Sequence, residues 1–176
     1  AAGLIGTFYG TVTIENVTVK ESTFVGNNKV AGLIAHDGVS SNLSINNCHI
    51  LDCNISSANT ADGGNVGGMV GLFQGAANGE YIIANSSVKN CIIVGINSSN
   101  SGKRANAEFV ACVNSKANQT LVIENCVVED NTFSQTINGS DAVTYVGPYD
   151  NKFVGGHREV TEPVGIVVIN GVQYPN

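Results

Sequence analysis

Three of four similar segments of the chain carry a carboxylate at one equivalent position, which makes these residues the first candidates for chemistry. The equivalent positions hold Glu21, Asp52, Asn90 and Asp130, and Glu129 precedes the last of them. Carboxylate oxygens at a regular spacing could bind Ca²⁺, with Glu21, Asp52 and Asp130 as the ligands. Paired carboxylates could also act as general acid and base in polysaccharide cleavage, through Asp52, Glu129 and Asp130. The same residue types are common at solvated turns, so the column equally fits a structural corner.

Aromatic side chains offer a second kind of site. Phe8, Tyr9, Phe73 and Tyr149 each follow a short apolar box. If the boxes stack on one another, these rings could line one edge of the molecule and bind sugar faces or a protein partner. Phe8 and Phe73 could equally point into the core.

The cysteines and histidines match no catalytic or metal-binding pattern. The five cysteines are Cys48, Cys53, Cys91, Cys112 and Cys126, without a Cys-x-x-Cys pair. Cys53 and Cys91 occupy equivalent positions, but stacking would leave their Cβ atoms about 4.8 Å apart, against about 3.8 Å in a disulfide. No histidine has a second ligand at metal-binding spacing, and no nucleophile elbow, His-Glu-x-x-His or phosphate loop occurs. We therefore expect small buried thiols, no catalytic residue and no cofactor.

The composition narrows the class of protein. The 176 residues include 8 Lys and Arg against 14 Asp and Glu, and this net charge of −6 disfavours nucleic-acid binding. No apolar run approaches the roughly 20 residues of a membrane-spanning helix. The 23 Val and 15 Ile against 6 Leu favour strands, and the 23 Asn and 21 Gly favour tight turns. The counts predict an all-β protein without a long helix.

Two sequence units recur along the chain. The first is the apolar box, which occurs at 2–6, 31–35, 67–71, 107–111 and, in degenerate form, 144–147. The second is a 14-residue segment, which aligns without gaps at 11–24, 42–55, 80–93 and 120–133. Only the connectors between these units vary in length. Such repetition is typical of a solenoid, in which each repeat buries its inner face against the next.

The aligned columns alternate between apolar and polar residues, as half-buried strands do. One inward column is Ile14, Ile45, Ile83 and Ile123. The alternation breaks at the acidic column and at an asparagine column, Asn16, Asn47, Asn85 and Asn125. We therefore predict three short strands per coil in a parallel β-helix of about 4–5 coils, right-handed because parallel crossovers overwhelmingly are. The stacked asparagines should form a buried hydrogen-bonded ladder.

The boxes also resemble a known repeat. VAGLIAHDG, VGGMVGLFQG and AAGLIGTFYG, each followed by a strand and an Asn-rich turn, are similar to the Gly-Leu-any-Gly (GLUG) repeat of bacterial surface and secreted proteins. The resemblance covers about residues 1–142, although Glu108 stands where the other boxes have glycine. It implies adhesion at a cell surface, and it supplies no catalytic residues.

The repeats predict the domain organisation. We expect repeats over residues 1–149 and a cap over residues 150–176. The repeat boundaries are expected at approximately 1–28, 29–64, 65–103 and 104–142, with a partial repeat at 143–149. In the cap, Ile169-Asn170-Gly171-Val172 predicts a hairpin with a type I′ turn.

These features lead to two hypotheses about function. The first is a non-catalytic module, secreted or on the bacterial cell surface and part of a larger chain. It would bind a glycan or a host or cell-surface protein in an adhesin-like manner, or act as a rigid spacer. The alternative is a polysaccharide lyase or hydrolase that uses the acidic column.

Overall fold

Parallel β-strands build the described part of the molecule. The computed structural model describes residues 1–38, 42–57, 64–74, 78–97, 105–114, 118–137, 150, 152–158 and 165–175. These residues are all-β and solenoid-like, as predicted. Among them, no helix has the length and apolar character needed to cross a membrane.

The strands are short and follow the sequence repeats. The first repeat contains β1 (Ile5–Phe8), β2 (Thr11–Glu15), β3 (Thr18–Lys20) and β4 (Thr23–Gly26). The second contains β5 (Lys29–Ala31), β6 (Ile34–Asp37), β7 (Asn42–Asn46), β8 (His49–Leu51) and β9 (Asn54–Ser57). The third contains β10 (Asn65–Gly67), β11 (Val70–Phe73), β12 (Glu80–Ala84), β13 (Ser87–Lys89) and β14 (Ile92–Asn97). The fourth contains β15 (Val110–Asn114), β16 (Thr120–Glu124), β17 (Val127–Glu129) and β18 (Thr132–Ile137). The last strands are β19 (His157–Arg158), β20 (Ile166–Ile169) and β21 (Val172–Pro175).

Equivalent strands of successive repeats pair in parallel. The sheet orders are β1-β6-β11-β15-β19, β2-β7-β12-β16-β20-β21, β3-β8-β13-β17, β4-β9-β14-β18 and β5-β10. Ile45 lies opposite both Ile14 and Ile83, and Ile83 lies opposite Ile123. Residues that align in the 14-residue segments are therefore the same residues that lie opposite each other in the paired strands.

The prediction of three strands per repeat is too low. The 14-residue segment does contain three strands, such as β2, β3 and β4 in the first repeat. However, the apolar box supplies strands of its own, β6 and β11 among them, and the residues before it form β5 and β10. The second residue of the box, Gly32 or Gly68, lies in a bend between two of these strands, and the residues on either side of the bend are extended and pair with neighbouring repeats.

The inward columns form one core along the stack. Ile45, Ile50 and Ile55 are completely buried, and so are Ile83 and Ile93 in the next repeat. In the first repeat Ile14 is still buried, but Val19 and Phe24, the equivalents of Ile50 and Ile55, are only partly buried. A repeat is thus shielded by its neighbours on both sides, which is why a single repeat could not bury its own inner face.

The two predicted breaks in alternation are corners with left-handed backbone. The residues with positive φ at these corners are Asn16, Glu21, Asn47, Asp52, Asn85, Asn90, Asn125 and Asp130, with φ between 49° and 58°. Asn and Asp are the non-glycine residues that enter this conformation most readily, and it costs other residues roughly 1–2 kcal/mol. Backbone geometry therefore explains both columns.

The prediction of a buried asparagine ladder is wrong. All four asparagines of that column are exposed. Asn47 Nδ2 does donate to Asn16 Oδ1 at 2.7 Å, but Asn85 Nδ2 donates instead to Asn46 Oδ1 at 2.8 Å. A residue at a left-handed corner directs its side chain outward, so the amides meet at the surface.

Glycine at the second position of the box permits close contact between repeats. A Cβ on Gly32 would lie 2.5 Å from the carbonyl oxygen of Gly68 and 2.5 Å from Ile50 Cγ2. A Cβ on Gly68 would lie 2.1 Å from the carbonyl oxygen of Glu108. The glycines thus let the chain approach both the next repeat and the facing β8 or β13 side chain.

Parallel stacking continues into the segment that was predicted as a cap. Val154 bridges Val110, β19 pairs with β15, and β20 pairs with β16, all in parallel. Only β21 runs antiparallel, and it joins β20 through Asn170 and Gly171 with φ of 47° and 84°. The predicted type I′ hairpin is confirmed. The degenerate box at 144–147 lies outside the described residues, and Phe153 occupies the register of Phe109.

Replacing Gly32 with alanine should lower the free energy of unfolding by about 1–3 kcal/mol, the usual cost of overpacking. Gly6→Ala is the matched control, because nothing lies within 4 Å of a Cβ at Gly6. Its effect should stay below about 0.5 kcal/mol. Urea unfolding followed by circular dichroism measures both variants. Equal stability of the two would contradict the close approach at Gly32.

Candidate functional site

The acidic column lies on one exposed corner of the stack. The backbone N–H groups of Glu21, Asp52 and Asn90 donate to carbonyl oxygens of the following repeat at 3.1, 3.1 and 3.2 Å. These residues and Asp130 are all exposed. Asn90 separates Asp52 from Asp130, which are therefore two strand spacings, about 10 Å, apart. Among the described residues, no three His, Cys, Asp or Glu side chains cluster as a metal site would require.

Glu129 is engaged in an ion pair. Lys89 Nζ lies 2.8 Å from Glu129 Oε2 on the outer face of the β13 and β17 strands. The hydrogen bond from Lys89 and its positive charge lower the pKa of the Glu129 carboxyl. Glu129 therefore stays ionised and hydrogen-bonded at neutral pH, which suits surface pairing better than the delivery of a proton.

The four predicted binding aromatics do not form a row of exposed rings. Phe8 is 7% exposed and Phe73 is completely buried, because both continue the inward column of β1 and β11. Tyr9 is 73% exposed, and its ring lies against Gly38, where an added Cβ would fall 2.1 Å from Tyr9 Cε1. Tyr149 lies outside the described residues. Tyr9 is thus the one member of the set whose ring the structure shows to be available.

The cysteines are free and buried, as the sequence predicted. Burial raises the pKa of Cys48, and it raises the pKa values of Cys91 and Cys126 from 9.0 to about 11. Cys53 and Cys91 are neighbours, since the Cys53 N–H donates to Cys91 Sγ at 3.5 Å. Neutral buried thiols of this kind are poor nucleophiles and poor metal ligands.

These small residues also complete the corners. Cys48, Cys53, Cys91 and Cys126 each follow a left-handed residue and donate to the carbonyl oxygen two residues earlier, whereas Cys112 lies within β15. The Sγ–O distances are 3.2 Å for Cys53 and for Cys91, and Ser86 makes the same contact through its hydroxyl at 2.7 Å. A side-chain donor at this place satisfies a carbonyl that the turn removes from the strand ladder.

A buried carboxylate was missed in the sequence. Asp37 is completely buried and lies in register with Phe8 and Phe73. Its Oδ2 accepts a hydrogen bond from the Tyr81 hydroxyl at 2.8 Å, and its Oδ1 accepts one from the Gln74 backbone N–H. The residues two positions after each box are Phe8, Asp37, Phe73 and Val113, so Asp37 interrupts an otherwise apolar column. The pairing with Tyr81, a buried ring that stacks on Phe73 at 4.6 Å, depends on the fold.

Comparison with known proteins gives no relative. No family model matches the chain, and neither the curated proteins nor the solved structures contain a match.

Asp52 should be replaceable by residues that accept a left-handed backbone. Asp52→Asn and Asp52→Gly should both leave the free energy of unfolding within about 0.5 kcal/mol of the original. Asp52→Val should cost about 1–2 kcal/mol, because a β-branched residue is strained at φ 54°. Thermal unfolding with and without Ca²⁺ distinguishes the alternatives. Stabilisation by Ca²⁺ that disappears in Asp52→Asn would show a carboxylate ligand rather than a structural corner.

The thiols should be unreactive in the folded protein. At pH 8, a pKa of about 11 leaves about one thiol in a thousand ionised at Cys91 and at Cys126. A colorimetric disulfide reagent should therefore label less than one thiol per native chain, and all five after denaturation in urea. Rapid native labelling of Cys91 would contradict its burial.

Proposed function

We propose that the chain is a non-catalytic module of a secreted or cell-surface protein, built as a right-handed parallel β-helix of four to five coils. It binds a glycan or a host or cell-surface protein in an adhesin-like manner. The similarity of its boxes to the GLUG repeat of bacterial surface proteins suggested this role, and that family assignment belongs to the proposal. A rigid spacer that presents another domain is the simpler form of the same proposal.

The continuous buried core is the observation that supports this proposal most directly. In-register columns such as Ile45 and Ile83 run through the described repeats and tie each one to the next. Stacked strands about 4.8 Å apart give a short rod about 20–25 Å long. A rod of this kind holds its outer faces in a fixed arrangement, which suits presentation and repeated weak contacts.

The outer surface is suited to polar recognition. The outward column of the six-stranded sheet is polar only at Thr13 and Ser44 and continues with Ile82 and Val122, but the corners carry exposed asparagines and carboxylates. Such groups can exchange hydrogen bonds with sugar hydroxyls. The exposed ring of Tyr9 adds an apolar face on which a sugar could stack.

A polysaccharide lyase or hydrolase remains the second candidate, through Asp52, Glu129 and Asp130. The ion pair of Glu129 with Lys89 and the interposed Asn90 argue against it. Acid–base cleavage of a glycan needs one carboxyl that holds a proton near neutral pH, and lowering the pKa of Glu129 acts in the opposite direction.

A glycan array combined with an assay for new reducing ends separates these functions. The adhesin-like function predicts retention on some glycans without release of products. Release of products that is lost in Asp52→Asn would establish the enzyme instead. Retention on no glycan and on no cell-surface protein preparation would leave the spacer as the function.

Tyr9→Ala should weaken retention on the array by at least tenfold if a sugar stacks on this ring. Val25→Ala is the matched control, because Val25 is 53% exposed on the same repeat but has no aromatic face. Binding constants measured for both variants against the best-retained glycan give the comparison. Unchanged binding in Tyr9→Ala would show that the glycan does not stack on this ring.

A further inference from the structure

A chain of hydrogen bonds links four polar side chains at the outer face of the four-stranded sheet that contains β8 and β13 and at the corner beside it. His49 Nδ1 lies 2.9 Å from Ser87 Oγ, and His49 Nε2 lies 3.0 Å from Asn47 Oδ1. Asn47 Nδ2 in turn donates to Asn16 Oδ1 at 2.7 Å. Neither the proposed function nor the core requires this arrangement.

The network determines which imidazole nitrogen holds the proton. Because Asn47 directs its amide nitrogen to Asn16, its carbonyl oxygen is the atom that faces His49. A carbonyl oxygen can only accept, so with the Asn47 amide in this orientation the hydrogen of neutral His49 is assigned to Nε2. Nδ1 then has a free lone pair, and the Ser87 hydroxyl donates to it. A hydroxyl, a base and a group that orients the base are the elements of an activated nucleophile.

The fold holds the three residues in place. His49 and Ser87 face each other in the register of β8 with β13, one strand spacing apart. Asn47 sits at a left-handed corner with φ 53°, two residues before His49. Asn85 is the equivalent corner residue of the next repeat. Its amide nitrogen donates to Asn46 Oδ1, so it does not compete with His49 for the carbonyl oxygen of Asn47.

The next residue in the column borders a depression. Val127 lies opposite Ser87 in the register of β17 with β13 and is 42% exposed. It also lines an open depression of about 570 Å³ together with Glu124, Asn125, Cys126, Asn170 and Gly171. Ser87 does not itself line this depression and is 6% exposed, so only a small reagent could reach its hydroxyl. The carboxylate of Glu124 at the rim disfavours anionic compounds.

We infer that Ser87 is an acyl-acceptor site for small uncharged esters, with His49 as the base and Asn47 as a positioning residue. Ser87 Oγ attacks the carbonyl carbon while its proton passes to His49 Nδ1. The bond to the departing alkoxide then breaks, and the proton is transferred to that oxygen. The products are an ester of Ser87 and a free alcohol, so atoms and charge balance.

The expected reactivity is stoichiometric acylation. The N–H of Ser87 donates to the Cys48 carbonyl oxygen and that of Val127 to the Ser86 carbonyl oxygen, so these groups are not available to stabilise an oxyanion. General-base assistance alone contributes typically about 10²–10⁴-fold. The site should therefore take up one acyl group faster than other hydroxyls, without rapid turnover.

p-Nitrophenyl acetate tests the inference, with p-nitrophenolate release followed by absorbance and the acetylated residue located by peptide mass spectrometry. We expect one acetyl group on Ser87. Ser87→Ala should lose it, and His49→Gln should acetylate at least tenfold more slowly. Asn47→Asp, which the left-handed corner tolerates, should react several-fold faster, because a carboxylate stabilises the imidazolium. A merely structural role for Asn47 would not produce that gain.

Ser44→Ala is the matched control, since Ser44 also faces outward on a parallel strand but makes no contact with a histidine. Its acetylation rate should equal that of the original chain. Circular dichroism verifies that each variant is folded. Acetylation confined to lysines and other hydroxyls, or an unchanged rate at Ser87 in His49→Gln, would overturn the inference.

Discussion

Hydrogen bonding of each strand to the equivalent strand of the next repeat is the constraint on which the rest of the structure depends. It places like residues over like residues, so one favourable inward side chain is used again in every repeat. Ile14, Ile45, Ile83 and Ile123 form such a column. The same constraint positions the outer face, where Ser87 meets His49 only because their strands pair in this register.

The corners are the second element that the stacking requires. Each turn uses a residue in the left-handed conformation, followed by a small side chain that donates back to a carbonyl oxygen. Asp52 and Cys53 form one such pair, and Asn85 and Ser86 form another. The acidic column and most of the buried thiols are therefore explained largely by the requirements of a recurring turn. A functional residue is therefore more readily recognised where its type differs from that of the equivalent residues in the other repeats.

Much of this architecture could be predicted from the sequence, because period-two alternation and gapless alignment report directly on strand faces and register. The corners were located correctly for the same reason. The exposure of the side chains at these corners was not predicted, because alternation cannot show where the side chain of a left-handed residue points. The strands in the box were missed because glycine usually marks turns; Gly32 does lie in a bend, but the chain on both sides of it is extended. Contacts between different columns, such as Asp37 with Tyr81, depend on the cross-section of the stack, which no single column reveals.

The gradual loss of burial toward the first repeat has a consequence for motion. Val12, Val19 and Phe24 are shielded by one neighbouring repeat, while their counterparts in the middle are shielded by two. A repeat that is covered on both sides, such as the one containing β12 and β13, should therefore protect its amide protons from exchange better than a repeat covered on one side only. Each layer added to the stack would in this way slow the local opening of the layer beneath it.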